Sequence, residues 1–217
     1  MTLVSIVVPV YNEQENIEVF YREVCKYMAP LPYELEILFI DDGSTDATPL
    51  ILDRLTQKDD RVRALVLARN FGHQIALTCG LDYADGDVVI TMDGDLQHPP
   101  EMLPLLLAKW RDENYDVVQT IRIDTDGVSW FKRATSGLFY KLMNAMSKIH
   151  VQEGGSDFRL LDRRVVRSFR LFRERARFIR GMIGEIGYRQ AYINFVAPKR
   201  YAGKSKFSFN KMLHFAL

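Results

Sequence analysis

Asp87–Pro100 reads DVVITMDGDLQHPP. The apolar run Val88 to Ile90 leads into two carboxylates (Asp93, Asp95), a carboxamide (Gln97) and an imidazole (His98), and then into two prolines. The run predicts a buried strand. Pro99 and Pro100 suit the first turn of a helix, where a missing N–H costs nothing, and that helix is expected to reach about Asn114. A strand that ends in oxygen donors and passes directly into a helix is one unit of an α/β sheet, and its functional groups lie at the carboxyl end of the strand.

The same unit recurs on both sides. LVSIVVPVYNE begins as an apolar strand and turns at Pro9 and Asn12. Residues 14–28 carry Ile17, Phe20, Tyr21, Val24 and Met28 at helical spacing. ELEILFIDDGSTD is a second strand ending in Asp41 and Asp42; Gly43 permits a sharp turn, and Ser44 to Asp46 can cap the next helix. RVRALVLARN is a third strand, residues 73–84 a helix, and YDVVQTIR a fifth strand. Strands alternating with helices of this length predict an α/β fold, a mostly parallel, Rossmann-like sheet with helices on both faces. Glu13, Asp41, Asp42, Asp93, Asp95 and Arg122 then fall along one edge.

Past Arg122 the pattern changes. Residues 127–148 carry a helical apolar stripe (Trp130, Ala134, Leu138, Leu142, Met146) with Lys132, Arg133, Lys141 and Lys148 nearby. That combination suits an amphipathic helix lying in a membrane surface. EGGSDFRLLDRRVV reads as loop, short strand and helix start, and YRQAYINFVAP as a strand. RLFRERARFIR places cations at helical spacing without the aromatic platforms of a single-strand binder, so it reads as a surface helix near anionic lipid and not as a nucleic-acid site. Residues 1–121 hold nine Lys and Arg against 21 Asp and Glu, a net −12; residues 122–217 hold 20 against seven, a net +13. An acidic half followed by a basic one divides the labour and favours an anionic partner for the second half.

The 217 residues suit a single domain. Cys25 and Cys79 lie in helical segments without metal or redox spacing and read as reduced packing residues. Residues 3–10 look like a strand and not a signal peptide, and no apolar run approaches the ~18 residues of a membrane span. Phosphate loops of the G-x-x-x-x-G-K-[ST] or G-x-G-x-x-G type are missing, which counts against a P-loop NTPase and a dinucleotide enzyme, and no G-x-S-x-G elbow occurs.

Asp93, Asp95 and Gln97 share one side of the chain if it stays extended, and their oxygens suit Mg2+ or Mn2+ with positions left for a nucleotide diphosphate. His98 is out of that register and reads as a cap or surface residue. Asp157 reads from its neighbours as a helix cap or an ion-pair partner of Arg159 or Arg163. Gly203 and Ser205 in RYAGKSKF let backbone N–H groups approach an anion, with Arg200 and Lys206 adding charge.

SIVVPVYNE, FIDDGSTD, MDGDLQHPP, GGSDFRLL and RYAGKSKF, in this order, resemble family 2 glycosyltransferases of the GT-A fold. The first three are shared across that family; the last two, with SWFKR, resemble its polyprenyl-phosphate branch, the bactoprenol-phosphate glucosyltransferases and dolichol-phosphate mannose synthases. The resemblance covers nearly the whole chain. It implies a single catalytic domain, residues 1–121 for nucleotide and metal and 122–217 for acceptor and membrane. Pro9, Tyr11 and Glu13 would line the nucleotide pocket, with Asp42 and Asp41 at the base. Asp93, Asp95 and Gln97 would hold the metal and donor diphosphate. Arg122, Arg133, Arg200 and Lys206 would bind phosphates, and Asp157 stands where the family places a proposed catalytic carboxylate.

The implied reaction is metal-dependent, inverting transfer of glucose from UDP-glucose to polyprenyl phosphate at the cytoplasmic face of a membrane. A GDP-mannose donor is the alternative. Oligomeric state is left open. Relatives in this branch usually continue into transmembrane helices; this sequence stops at NKMLHFAL, so either it is cut short of them or the anchor is absent, and the full-length protein is expected to be an integral membrane protein. Two rivals are a polysaccharide synthase, disfavoured by the missing QxxRW motif, and a non-catalytic nucleotide- or membrane-binding module, disfavoured by the intact Asp-x-Asp.

Overall fold

The computed structural model describes residues 1–123, 155–172 and 179–198. The expected amphipathic helix over 127–148, Arg133, and the RYAGKSKF loop with Arg200 and Lys206 lie outside those residues. The described part is α/β, with strands β1 (Leu3–Val10), β2 (Glu34–Asp41), β3 (Val62–Val66), β4 (Val88–Thr91), β5 (Val117–Ile123), β6 (Gly155–Asp162) and β7 (Gln190–Val196). The helices are α1 (Ile17–Met28), α2 (Thr48–Lys58), α3 (His73–Tyr83), α4 (Leu103–Glu113), α5 (Arg163–Leu171) and α6 (Ile179–Glu185). A single 3-10 turn, Pro100–Met102, leads into α4, as the two prolines predict.

The strands form one sheet in the order β3-β2-β1-β4-β6-β5-β7. The inner strands are apolar on both faces because helices cover both. Val4 to Val10 of β1 and Leu35 to Asp41 of β2 are buried throughout. One apolar layer joins Ile6, Val8, Phe39 and Ile90 to Ile17, Phe20 and Val24 of α1 and Leu103 and Leu107 of α4. The other joins Val7, Leu38, Ile40 and Val89 to Leu77 and Leu81 of α3 and Val165 and Phe169 of α5. The helix α3 lies very close to the sheet, and a Cβ on Gly80 would come within 2.2 Å of Val7 Cγ1.

One strand departs from the parallel pattern. β6 runs antiparallel to both β4 and β5, with Thr91 opposite Arg159. β5 therefore shares the sense of β1, β2 and β4, and it pairs parallel with β7. The expected sheet was mostly parallel, and it is. The inversion has a local consequence: the start of β6, not its end, lies at the carboxyl edge of the other strands. Asp157 thereby reaches the same edge as Asp93.

Candidate active site

The edge is built from loops that fasten one another. After β1, Asn12 takes a left-handed backbone (φ 51°), which turns the chain toward the loop after β2. Asn12 N–H donates to Ser44 Oγ (2.8 Å), Thr45 N–H to Asn12 Oδ1 (2.7 Å), and Glu13 N–H to Thr48 Oγ1 (2.9 Å). Ahead of α2, whose N-cap Ala47 has no side-chain cap, Asp46 Oδ1 accepts from Thr48 N–H at 2.9 Å, while Ser44 turns across to Asn12. Pro9 is buried within β1, opposite Ile40 of β2, and Tyr11 and Glu13 are half-buried beyond it.

Asp41 and Asp42 are both buried but differ in use. Asp41 Oδ1 accepts from Ser44 N–H (3.0 Å) and Oγ–H (2.5 Å); its Oδ2 is buried without a hydrogen bond. Asp42 accepts from Phe71 N–H (2.7 Å) and Gly72 N–H (2.9 Å), one on each oxygen, and so ties β2 to the loop entering α3. Gly43 (φ 71°) packs so tightly that a Cβ there would lie 2.4 Å from the Arg69 carbonyl carbon. Asp41 thus keeps one buried acceptor oxygen unused, while both oxygens of Asp42 are taken by backbone N–H groups.

Beyond β4 the chain does not stay extended. It turns at Gly94 and Asp95, Leu96 adopts φ 63°, and Gln97 N–H donates to Asp95 Oδ1 at 3.0 Å. Strand register therefore cannot align Asp93, Asp95 and Gln97; a tight turn carries them. The reading of His98 as a surface residue is also corrected. His98 is 7% exposed. Its Nδ1 accepts the Asp93 backbone N–H (2.8 Å), its Nε2 lies 2.9 Å from Ser156 Oγ, and its ring stacks on Phe158 with centroids 5.2 Å apart. An accepting Nδ1 leaves the proton on Nε2, which donates to Ser156. Burial was hidden in the sequence because the ring folds back against β6.

Asp157 sits beside this turn. Its Oδ1 accepts from Arg159 Nη2 (2.6 Å) and Arg180 Nε (3.1 Å). Its Oδ2 accepts from Arg180 Nη2 (3.1 Å) and Gln74 Nε2 (3.5 Å), with His73 Nε2 at 3.4 Å. His73 Nε2 is also 3.7 Å from Asp93 Oδ1. Burial pushes the Asp157 carboxyl up, but His73, Arg159 and Arg180 outweigh it and hold the group far below the usual carboxylate range. Burial lowers the Arg159 guanidinium to about 10 against the pull of Asp157. For His73, burial acts downward and Asp157 and Asp93 act upward, with a net rise. Of the two ion-pair partners expected for Asp157, Arg159 is the one used; Arg163 pairs with Asp87 at 3.1 Å.

His73 thus links Asp93 to Asp157, Asp95 and Gln97 follow on the same turn as Asp93, and β5 carries exposed Arg122 to the same edge. His73 and Arg180 were missed, and Arg159 was expected only as an ion-pair partner of Asp157. A lone arginine between Phe158 and Leu160 of an apolar strand was the available signal for Arg159. Of the described arginines in RLFRERARFIR, exposed Arg170 also donates to Leu81 O and Ala84 O at the end of α3, and Arg180 binds Asp157.

Among the described residues, no three His, Cys, Asp or Glu side chains gather as a ready cage for a metal. Asp93 and Asp95 offer two hard oxygen donors on one turn, Asp93 partly exposed and Asp95 buried. That donor set fits Mg2+ or Mn2+ whose remaining positions go to phosphate oxygens and water.

A mixed α/β sheet with an Asp-Gly-Asp turn at its carboxyl edge is the architecture of the GT-A glycosyltransferases that this chain resembles in fold. Residues 5–170 match the family model described as glycosyl transferase family 2, and the chain belongs to that family. A bactoprenol glucosyl transferase of Shigella phage SfV is 43% identical over 214 residues, 99% of this chain and 69% of that protein. An uncharacterised glycosyltransferase of Synechocystis sp. is 40% identical over 213 residues, 98% of this chain and 67% of that protein. The chain spans about two thirds of the length of these relatives. The mannosyltransferase PcManGT from Pyrobaculum calidifontis, solved with GDP-Man and Mn2+, shares the fold with a TM-score of 0.59 at 20% identity, covering 91% of this chain and 58% of that one.

Proposed function

We propose that this glycosyltransferase transfers glucose from UDP-glucose to polyprenyl phosphate with inversion at the anomeric carbon. One observation carries the reading: the acidic Asp93–Asp95 turn, suited to a donor diphosphate through a cation, directly adjoins the cationic group around Asp157. The resemblance to a bactoprenol glucosyl transferase supplies sugar and acceptor. In the reaction an acceptor phosphate oxygen forms a bond to C1 of the sugar, the bond from C1 to the diphosphate oxygen breaks, and UDP leaves with that electron pair.

Asp93, Asp95 and Gln97 would hold a divalent cation, Mg2+ or Mn2+, which when bound neutralises the leaving diphosphate. His98 keeps the turn in place by accepting the Asp93 N–H. Asp42, with Asp41, would lie at the base. A phosphate monoester is largely dianionic at neutral pH, since its second pKa is about 6. The protein therefore needs chiefly to position the acceptor and balance charge. Arg122, Arg133, Arg200 and Lys206 would contribute to that balance, and residues 122–217 would face the cytoplasmic surface of a membrane. Among the described residues no helix is long and apolar enough to cross one.

The test is a transfer assay offering UDP-glucose, UDP-GlcNAc and GDP-mannose with polyprenyl phosphate and Mn2+ or Mg2+. Glucose transfer from UDP-glucose is expected, and Asp95→Asn abolishes it. Preferential transfer from GDP-mannose moves the assignment to a mannosyltransferase. Transfer that Asp95→Asn leaves unchanged refutes the metal assignment.

A further inference from the structure

We propose that Arg180 binds the phosphate of the acceptor and that Asp157 is its positioning residue. The inference rests on the reading of the acceptor as a polyprenyl phosphate.

Asp157 has no bare side. Arg159 and Arg180 occupy Oδ1, and Arg180, Gln74 and His73 surround Oδ2. A proton arriving on either oxygen would have to displace one of these donors. The dianionic phosphate has little need of a proton acceptor. The geometry gives the carboxylate other work. Nε and Nη2 of Arg180 take its two oxygens as a fork, which fixes the plane of the guanidinium.

The two arginines on Asp157 differ in access. Arg159 has 1% of its side chain exposed, and its Nε and Nη1 make no hydrogen bond among the described residues. Arg180 has 37% exposed and His73 40%, so these two form the accessible rim. One carboxylate against two guanidinium groups leaves the cluster net positive, with Arg159 adding charge from beneath. His73 reaches both Asp157 and Asp93, and β6 is bonded to β4 beside that turn. An acceptor phosphate directed at a sugar whose diphosphate lies on Asp93 and Asp95 therefore meets Arg180. A phosphate there gains a charge-assisted contact from a group already held in place.

The test uses farnesyl phosphate as probe, titrated calorimetrically into the protein with UDP and Mn2+ present. Arg180→Ala should weaken farnesyl phosphate binding about tenfold or more, the loss of one charge-assisted contact. Arg180→Lys should recover part of it, keeping the charge without the fork. Affinity for UDP with Mn2+ should stay at the wild-type value in both. In turnover, Arg180→Ala should raise the KM for polyprenyl phosphate and leave the KM for the donor unchanged. Asp157→Asn should weaken the probe in the same sense; should that variant misfold by circular dichroism, the half-exposed Arg180 variants carry the test. Wild-type affinity for farnesyl phosphate in Arg180→Ala, or an equal loss of UDP, overturns the proposal, as does a wild-type protein that does not bind the probe. If the wild type binds the probe yet transfers no sugar to polyprenyl phosphate, the transfer reading fails and the phosphate site stands.

Discussion

The Nδ1 atom of His98 accepts the backbone N–H of Asp93 at 2.8 Å, and the same ring stacks on Phe158 of β6. A side chain from beyond the turn thus holds the turn's first carboxylate against the neighbouring strand. His98→Phe keeps the stacking surface and removes the acceptor. The stranded N–H should cost about 1–3 kcal/mol of stability. Affinity for UDP with Mn2+ should fall more than tenfold because Asp93 is no longer fixed; titration with UDP at constant Mn2+ checks it. Wild-type affinity would show that the turn holds its shape without the imidazole.

Arg159 is a buried cation whose counterion is Asp157 at 2.6 Å. Removing one member of a buried pair strands the other, so Asp157→Asn should lower the unfolding free energy by about 3–5 kcal/mol. Replacing Arg159 by Met in that background removes the orphaned charge and should restore much of the loss. Urea unfolding of both single variants and the double variant measures this coupling, and additive effects would refute it.

Acid should destabilise the fold partly through Asp59, away from the site. Hydrogen bonds from Arg61 (2.6 Å) and from the Tyr21 hydroxyl (2.7 Å) hold its carboxyl well below the usual range. A depressed native carboxylate stabilises the fold above its unfolded pKa of about 3.9, and that contribution is lost as pH falls toward the native value. Asp59→Asn should therefore melt at a lower temperature than the wild type at pH 6, and the gap should narrow steadily below about pH 4. A gap independent of pH would sink this assignment.

Gly80 faces Val7 across the α3–β1 contact, where a Cβ would lie 2.2 Å from Val7 Cγ1. Gly80→Ala gains helix propensity but overpacks the layer. Overpacking of this kind costs about 1–3 kcal/mol, more than the ~1 kcal/mol the helix gains. A lower melting temperature is expected, and Gly80→Ala with Val7→Ala should recover it.

Much of this architecture was legible in short apolar runs. Ile6 to Val8, Leu35 to Ile40 and Val88 to Ile90 announce strands sealed on both faces, and Ile17, Phe20 and Val24 announce the face of α1. The direction of β6 was not legible, because an apolar strand has the same pattern whichever way it runs. Asp93 and Asp95 were found by type and position, but the turn between them was not, since Leu96 gives no hint of a left-handed backbone. Arg180 and His73 were missed for a related reason. One lies in an arginine-rich segment that reads as a solvated face, the other opens a helix, and only tertiary folding brings both to Asp157.

The inverted strand has a mechanical corollary. Because β4 and β6 are stitched by backbone hydrogen bonds up to Thr91 and Arg159, and His98 ties the turn beyond β4 back to β6, the two carboxylates are mounted on a common rigid frame. Diversification toward other sugars or lipids would be expected to rework the surrounding walls and leave that frame alone.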